Sequence, residues 1–150
     1  MHKILTCLFK FYYLYYVAKY KLRLSNFNGY MVRITGRGAV SLNNSSYISF
    51  SSRIHVEIGT NLIVGKNVSI GHRAQIYTIG LDPTNHIFGK KLMKKGDVII
   101  HDNVVIGYNV FIGPNLTIGE NSIIGANSVI TTSIPSHSIV TAQMKTVSLK

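Results

Sequence analysis

The chain is poor in acid. Its 150 residues hold five Asp and Glu against sixteen Lys and Arg, a formal charge of +11. That shortage favours polyanions, anionic membrane surfaces or phosphorylated small molecules as partners. Cysteine is scarcer still. Cys7 stands alone, which excludes an intrachain disulfide framework and leaves any metal site to histidines and the few carboxylates. No apolar run reaches the roughly 20 residues that a membrane-crossing helix needs. At 46% hydrophobic, a chain of this length has room for one domain with a core, but not comfortably for two. A reducing, cytoplasmic setting is the expected location.

The opening stretch, "MHKILTCLFKFYYLYYVAKYKLRL", differs from everything after it. It carries Lys3, Lys10, Lys19, Lys21 and Arg23, no acid, and four tyrosines between Tyr12 and Tyr16. No small-residue cleavage site follows a clean apolar core, so it does not read as a signal peptide. Residues 1–24 are expected to form a basic amphipathic helix. Such a helix either lies on the inner face of a membrane or packs on the domain or on a partner subunit.

What the rest of the chain has is a beat of six. Isoleucine recurs at 100, 106, 112, 118, 124 and 130, with glycine following at 107, 113, 119 and 125 and asparagine two places further on. Upstream the same spacing runs through Ile58, Val64, Ile70 and Ile76. A helix repeats its apolar residues at three and four and a long strand at two, so neither explains a period of six. Short strands joined by tight corners do, with Gly and Asn supplying positive φ where the chain turns. Three units make one triangular coil. Each inward isoleucine then stacks on the one eighteen residues later, and each coil contacts only its neighbours.

In these anchors, residues 54–140 resemble the hexapeptide-repeat acyltransferases, whose fold is a left-handed parallel β-helix. The resemblance implies an all-β domain over 25–140, preceded by the helix at 1–24 and followed by a tail at 141–150. The polar, β-prone stretch "SLNNSSYISFSSRI" reads as a degenerate coil capping the N-terminal end. The beat stops between Ile79 and Asp97, within which "IGLDPTNHIFGKK" reads as a loop thrown out from one coil.

Several activities use this fold, and the residues discriminate among them. A metal-dependent carbonic anhydrase needs three converging histidines. His72 in "IGHRAQ" and His101 in "IIHDNV" fall at corners, with no second histidine one turn on to complete a set. The likeness to sugar O-acetyltransferases goes further. In that family a loop histidine takes the proton from the acceptor hydroxyl, work suited to neutral imidazole. Leu81 stands where one set of relatives places that histidine, while "NHIF" resembles the Asn-His-x-Phe signature of another set. His86 is therefore the candidate general base, with Asn85, Lys90 and Lys91 as candidate acceptor contacts. The lysines at 90, 91, 94 and 95 either solvate the loop or draw in an anionic acceptor.

The cofactor residues carry over in the same way. "VVIG" followed by Tyr108 matches the place whose backbone N–H donates to the thioester oxygen, with Val105 replacing the usual tryptophan. Ala126 matches a contact to the pantetheine arm, and Thr131 and Thr132 fall where a Thr-Lys pair approaches the phosphates. The resemblance thus implies an acetyl-CoA-dependent O-acetyltransferase that modifies a sugar hydroxyl of a bacterial surface polysaccharide or its precursor. It implies a homotrimer, acetyl-CoA as cosubstrate, a sugar or glycan acceptor, no metal and no nucleic acid. The rival is an inactive homologue serving as a trimeric scaffold for membranes or polyanions.

Overall fold

The computed structural model describes residues 13–81 and 92–142, which form a parallel β-helix of three faces. Face A stacks Phe27–Asn28, Tyr47–Ser49, Ser69–Ile70, Val105–Ile106, Ile123–Ile124 and Ile139–Val140. Face B stacks Arg33–Gly36, Arg53–Val56, Gln75–Tyr77, Phe111–Ile112 and Val129–Ile130. Face C stacks Ala39–Leu42, Asn61–Val64, Val98–Ile100 and Leu116–Ile118, with a bridge onward to Ile134. The chain visits A, B and C in turn, so every coil has three corners.

The core is the expected aliphatic ladder. Ile70, Ile76, Ile100, Ile106, Ile112, Ile118, Ile124 and Ile130 are all buried. In the C-terminal coils the stacking step is eighteen: Ile100 lies on Ile118, Ile106 on Ile124 and Ile112 on Ile130. In the preceding coils the step is larger. Ile48 pairs with Ile70 and Ile54 with Ile76, each twenty-two residues on. The extra residues sit in one corner, Glu57–Thr60, and this corrects the sequence reading at one anchor. Ile58 keeps the six-residue spacing yet is 54% exposed, because the inward positions there are Ile54, Val56 and Leu62.

The corners divide labour between asparagine and glycine more sharply than expected. Asn67, Asn103, Asn109, Asn115, Asn121 and Asn127 hold φ between 53° and 60°, a region that Asn tolerates better than most residues. Their amides also stack, Asn109 Nδ2 donating to Asn127 Oδ1 at 3.0 Å and Asn103 Nδ2 to Asn121 Oδ1 at 3.1 Å. The glycines behind the anchors serve close approach instead of positive φ. A Cβ on Gly107 would stand 2.7 Å from Ala126 N, and one on Gly71 2.6 Å from Ile106 O.

Two further features position the site. Residues 13–20 are helical and close the N-terminal end of the ladder. Tyr13, Tyr16 and Tyr20 are buried there. The Tyr13 hydroxyl donates to Gly29 O at 2.9 Å and accepts from Val32 N–H at 3.2 Å, and its ring stacks on Phe27 at 4.5 Å. Within the described part of the helix, the tyrosine face is thus spent on the first coil, leaving Leu14 and Tyr15 outside. The stretch from 25 to 53 does more than cap, since it supplies strands to all three faces. Among the described residues no helix is long and apolar enough to cross a membrane.

The second feature is the excursion. Ile79–Leu81 pairs antiparallel with Met93–Lys95, Ile79 opposite Lys95 and Leu81 opposite Met93. This hairpin stem leaves from the corner between faces B and C, directly over the enlarged corner 57–60. Buried hydroxyls tie the two together, Thr60 Oγ1 and Thr78 Oγ1 lying 2.6 Å apart while Thr78 Oγ1 accepts from Glu57 N–H at 2.8 Å. On the returning side, Asp97 Oδ1 accepts from Asn61 N–H at 2.8 Å.

Candidate active site

Tyr108 and Ala126 come together. Both sit two places after an anchor at the corner between faces A and B, one coil apart and exposed. Asn127 N–H donates to Tyr108 O at 2.8 Å, and Gly107 N–H to Ile124 O at 2.8 Å, which fixes the two turns on one another. Among the described residues no acceptor takes the Tyr108 or Ala126 N–H. The missing side chain at Gly107 is what lets the turns approach. A row of backbone donors on a rigid corner suits an amide-bearing chain or a developing oxyanion.

Thr131 and Thr132 are exposed at a different corner, the one between faces B and C. They are not brought to Tyr108 directly; a full unit of face B lies between them. That corner is also the one from which the hairpin departs. His86, Asn85, Lys90 and Lys91 lie outside the described residues. Lys94 and Lys95 are exposed on the returning strand of the stem, and Leu81 is 44% exposed at its outer end.

The described histidines have other occupations. His55 Nδ1 lies 2.9 Å from Thr35 Oγ1 and its Nε2 3.4 Å from Glu57 Oε2, so both ring nitrogens are engaged. The Glu57 carboxylate also accepts from Ile58 N–H at 3.0 Å. That backbone bond first, and His55 second, hold its pKa below the ordinary carboxylate value. His72 sets its ring edge-on to Phe50 at 6.5 Å, His101 is an exposed corner residue, and His137 takes φ 59° at another. Among the described residues no three of His, Cys, Asp and Glu converge to hold a metal.

The structure adds residues that the sequence reading passed over. Arg73 Nη1 donates to the Tyr108 hydroxyl at 3.0 Å, with the guanidinium 5.9 Å from the ring centroid, a cation–π contact. Arg53 and Arg33 stand in register on face B beside it. Their spacing of twenty in the sequence was the available signal, but it becomes meaningful only once the length of each coil is known.

Comparison with known proteins agrees with this fold. Residues 97–132 match the family of bacterial transferase hexapeptide repeats, described as six repeats. The fold is that of the hexapeptide-repeat acyltransferases. Among solved structures, a maltose O-acetyltransferase from Clostridium difficile is 27% identical with a TM-score of 0.53, covering 76% of this chain and 64% of its own. A galactoside acetyltransferase in complex with coenzyme A is 25% identical with a TM-score of 0.57, covering 76% of this chain and 57% of its own. AntD, an N-acyltransferase from Bacillus cereus, shares the fold at 23% identity and a TM-score of 0.60, covering 73% of this chain and 69% of its own. The chain therefore spans less than two thirds of the length of the maltose and galactoside acetyltransferases. No curated protein matches the sequence significantly.

Proposed function

We propose that this hexapeptide-repeat protein is an acetyl-CoA-dependent O-acetyltransferase that modifies a sugar hydroxyl of a bacterial surface polysaccharide or its precursor. The observation that carries the reading is the pair of N–H groups at Tyr108 and Ala126 that have no acceptor among the described residues, set on a fold shared with a maltose and a galactoside acetyltransferase. Acetyl-CoA lies along that corner as cosubstrate, its pantetheine arm at Ala126 and its thioester oxygen at the Tyr108 N–H. Thr131 and Thr132 serve the phosphate end. His86, on the excursion, is the general base, and Asn85, Lys90 and Lys91 contact the acceptor.

The chemistry then follows from simple requirements. An alcohol is a weak nucleophile at neutral pH, so His86 takes its proton as the oxygen attacks the thioester carbonyl. The Tyr108 N–H stabilises the negative charge on the carbonyl oxygen in the tetrahedral intermediate. Collapse expels the coenzyme thiolate, which recovers the proton, and the acetyl group stays on the sugar. Transfer is direct.

The assembly is a homotrimer with each site shared between protomers. The excursion and Tyr108 lie at opposite edges of face B, where a six-residue unit spans at most about 20 Å. Each protomer thus offers its hairpin to one neighbour and its Tyr108 corner to another. The test is acceptor-dependent release of coenzyme A thiol. His86→Ala should lower kcat by about 10²–10⁴ while leaving acetyl-CoA affinity in place. An unchanged kcat would remove His86 from the mechanism.

A further inference from the structure

Face B carries an arginine pair with no carboxylate partner among the described residues. Arg33 and Arg53 are direct partners in the parallel ladder, both exposed. Like charges placed directly opposite each other destabilise a sheet. No carboxylate among the described residues pairs with either one. Glu57, which lies beside His55, is already engaged by that ring and the Ile58 N–H. One coil on, Gln75 takes the ladder place beside Arg53, and Arg73 stands at the corner just before it, its guanidinium on the Tyr108 hydroxyl.

These arginines line two depressions that share Arg53. One, of about 170 Å³, is bounded by Ser51, Arg53, Arg73, Gln75 and Asn109. The other, of about 280 Å³, is bounded by Arg33, Thr35, Arg53, Ile54, His55 and Tyr77. Guanidinium forks match the two-oxygen geometry of carboxylate and phosphate groups. Hydroxyl and amide side chains beside them add further polar partners.

Direction along the β-helix decides what lies there. From Tyr108 the next coil towards the C-terminus holds Ala126, the proposed path of the coenzyme arm. The coil on the other side holds Arg73, and beyond it come Arg53 and then Arg33. We propose that Arg33, Arg53 and Arg73 form the binding site for an anionic group, carboxylate or phosphate, carried by the acceptor glycan. The acceptor is then an acidic or phosphorylated sugar chain that lies along the N-terminal coils, with its reacting hydroxyl near Tyr108. The assignment to an acceptor rests on the acetyltransferase reading; the anion site itself does not.

The experiment titrates the full-length protein with two probes, oligogalacturonate for carboxylate and inorganic pyrophosphate for phosphate, following binding calorimetrically. Acetyl-CoA binding is measured alongside. For at least one probe, Arg33→Gln/Arg53→Gln should raise Kd tenfold or more. Arg53→Lys should fall between, having kept the charge and lost the fork, and Arg37→Gln should match wild type. The thermal midpoint of the double variant should be unchanged or higher, since a repulsive pair is gone, which separates lost binding from lost fold. The probe that binds identifies the group. Wild-type binding of both probes by the double variant, or binding of neither by wild type, overturns the site. Competition between acetyl-CoA and the probe overturns the acceptor assignment, placing coenzyme phosphates on the arginines. Arginine-dependent anion binding without any acetyl-CoA binding keeps the anion site and sinks the acetyltransferase reading.

Discussion

The C-terminal coils, from Val98 to Ile130, and the N-terminal coils, from Phe27 to Tyr77, are built on the same three faces but to different rules. The former step by eighteen residues, turn on asparagines and bury one isoleucine per face. The latter step by twenty to twenty-two, turn on Ser51 and Arg73 as well as Asn67, and carry the enlarged corner at 57–60. Regularity goes with rigidity, which a row of backbone donors needs. Irregularity goes with the features that can recognise something: the arginine pair and the support for the hairpin stem.

The sharpest way to break this contrast is in the ladder. Ile106→Ala, within the regular coils, should cost about 2–5 kcal/mol, read as a lower denaturant midpoint. Ile58→Ala, at the same spacing in the irregular corner, should fall within about 0.5 kcal/mol of wild type, because its side chain is exposed. Equal losses would mean that Ile58 is an anchor after all.

The hydroxyl clamp beneath the excursion comes next. Thr78→Val removes the acceptor of Glu57 N–H and one of the two partners of Thr60 Oγ1, which keeps Glu57 O, and leaves that N–H unpaired at a cost of about 1–3 kcal/mol. Hydrogen exchange should show that loosening at 57–60 and at the stem, and not at Ile106. The glycines then separate by tightness. Gly107→Ala should destabilise by about 1–3 kcal/mol. Gly113→Ala, whose Cβ would stand 3.4 Å from Ile130 O, should cost less. Melting curves of the two variants decide the order.

The smallest expected effect concerns pH. Glu57 has its folded pKa lowered, so its contribution is present above the unfolded carboxylate value and is lost as pH falls through the folded one. Glu57→Gln should therefore lower stability slightly at neutral pH and leave it unchanged below the folded pKa, which flattens the acid limb. Because the group is open to solvent, the change should be small, and smaller still in high salt.

Much of this was legible in the sequence, and the reason is physical. A coil of three six-residue units writes its core into the chain as a period, so Ile100 to Ile130 could be placed without coordinates. Tyr108 and Ala126 were named from the resemblance to the acyltransferases, and the period accounts only for their sharing one corner. Ile58 misled because an insertion of four residues can preserve an apparent beat while moving the core to Val56 and Leu62. The glycines were assigned the wrong task, as close packing between coils leaves no mark on a single repeat. The neighbourhood of Arg33, Arg53 and Arg73 was missed because a spacing of twenty means nothing until each coil's length is known: Arg33 pairs with Arg53, while Arg53 pairs with Gln75 and Arg73 stands at the corner before it. The N-terminal tyrosines fitted either a membrane or the domain, and Tyr13, Tyr16 and Tyr20 are found on the domain.

The claim at the centre of the account is that a hairpin from one protomer and the Tyr108 corner of another make one site. Mixing two individually impaired chains tests it most directly. His86→Ala lacks the base, and Ala126→Trp blocks the coenzyme groove while keeping the base. Co-assembled trimers should regain acceptor-dependent coenzyme A release, because some interfaces join an intact hairpin to an intact corner. Mixtures no more active than either parent, although shown to co-assemble, would contradict a shared site.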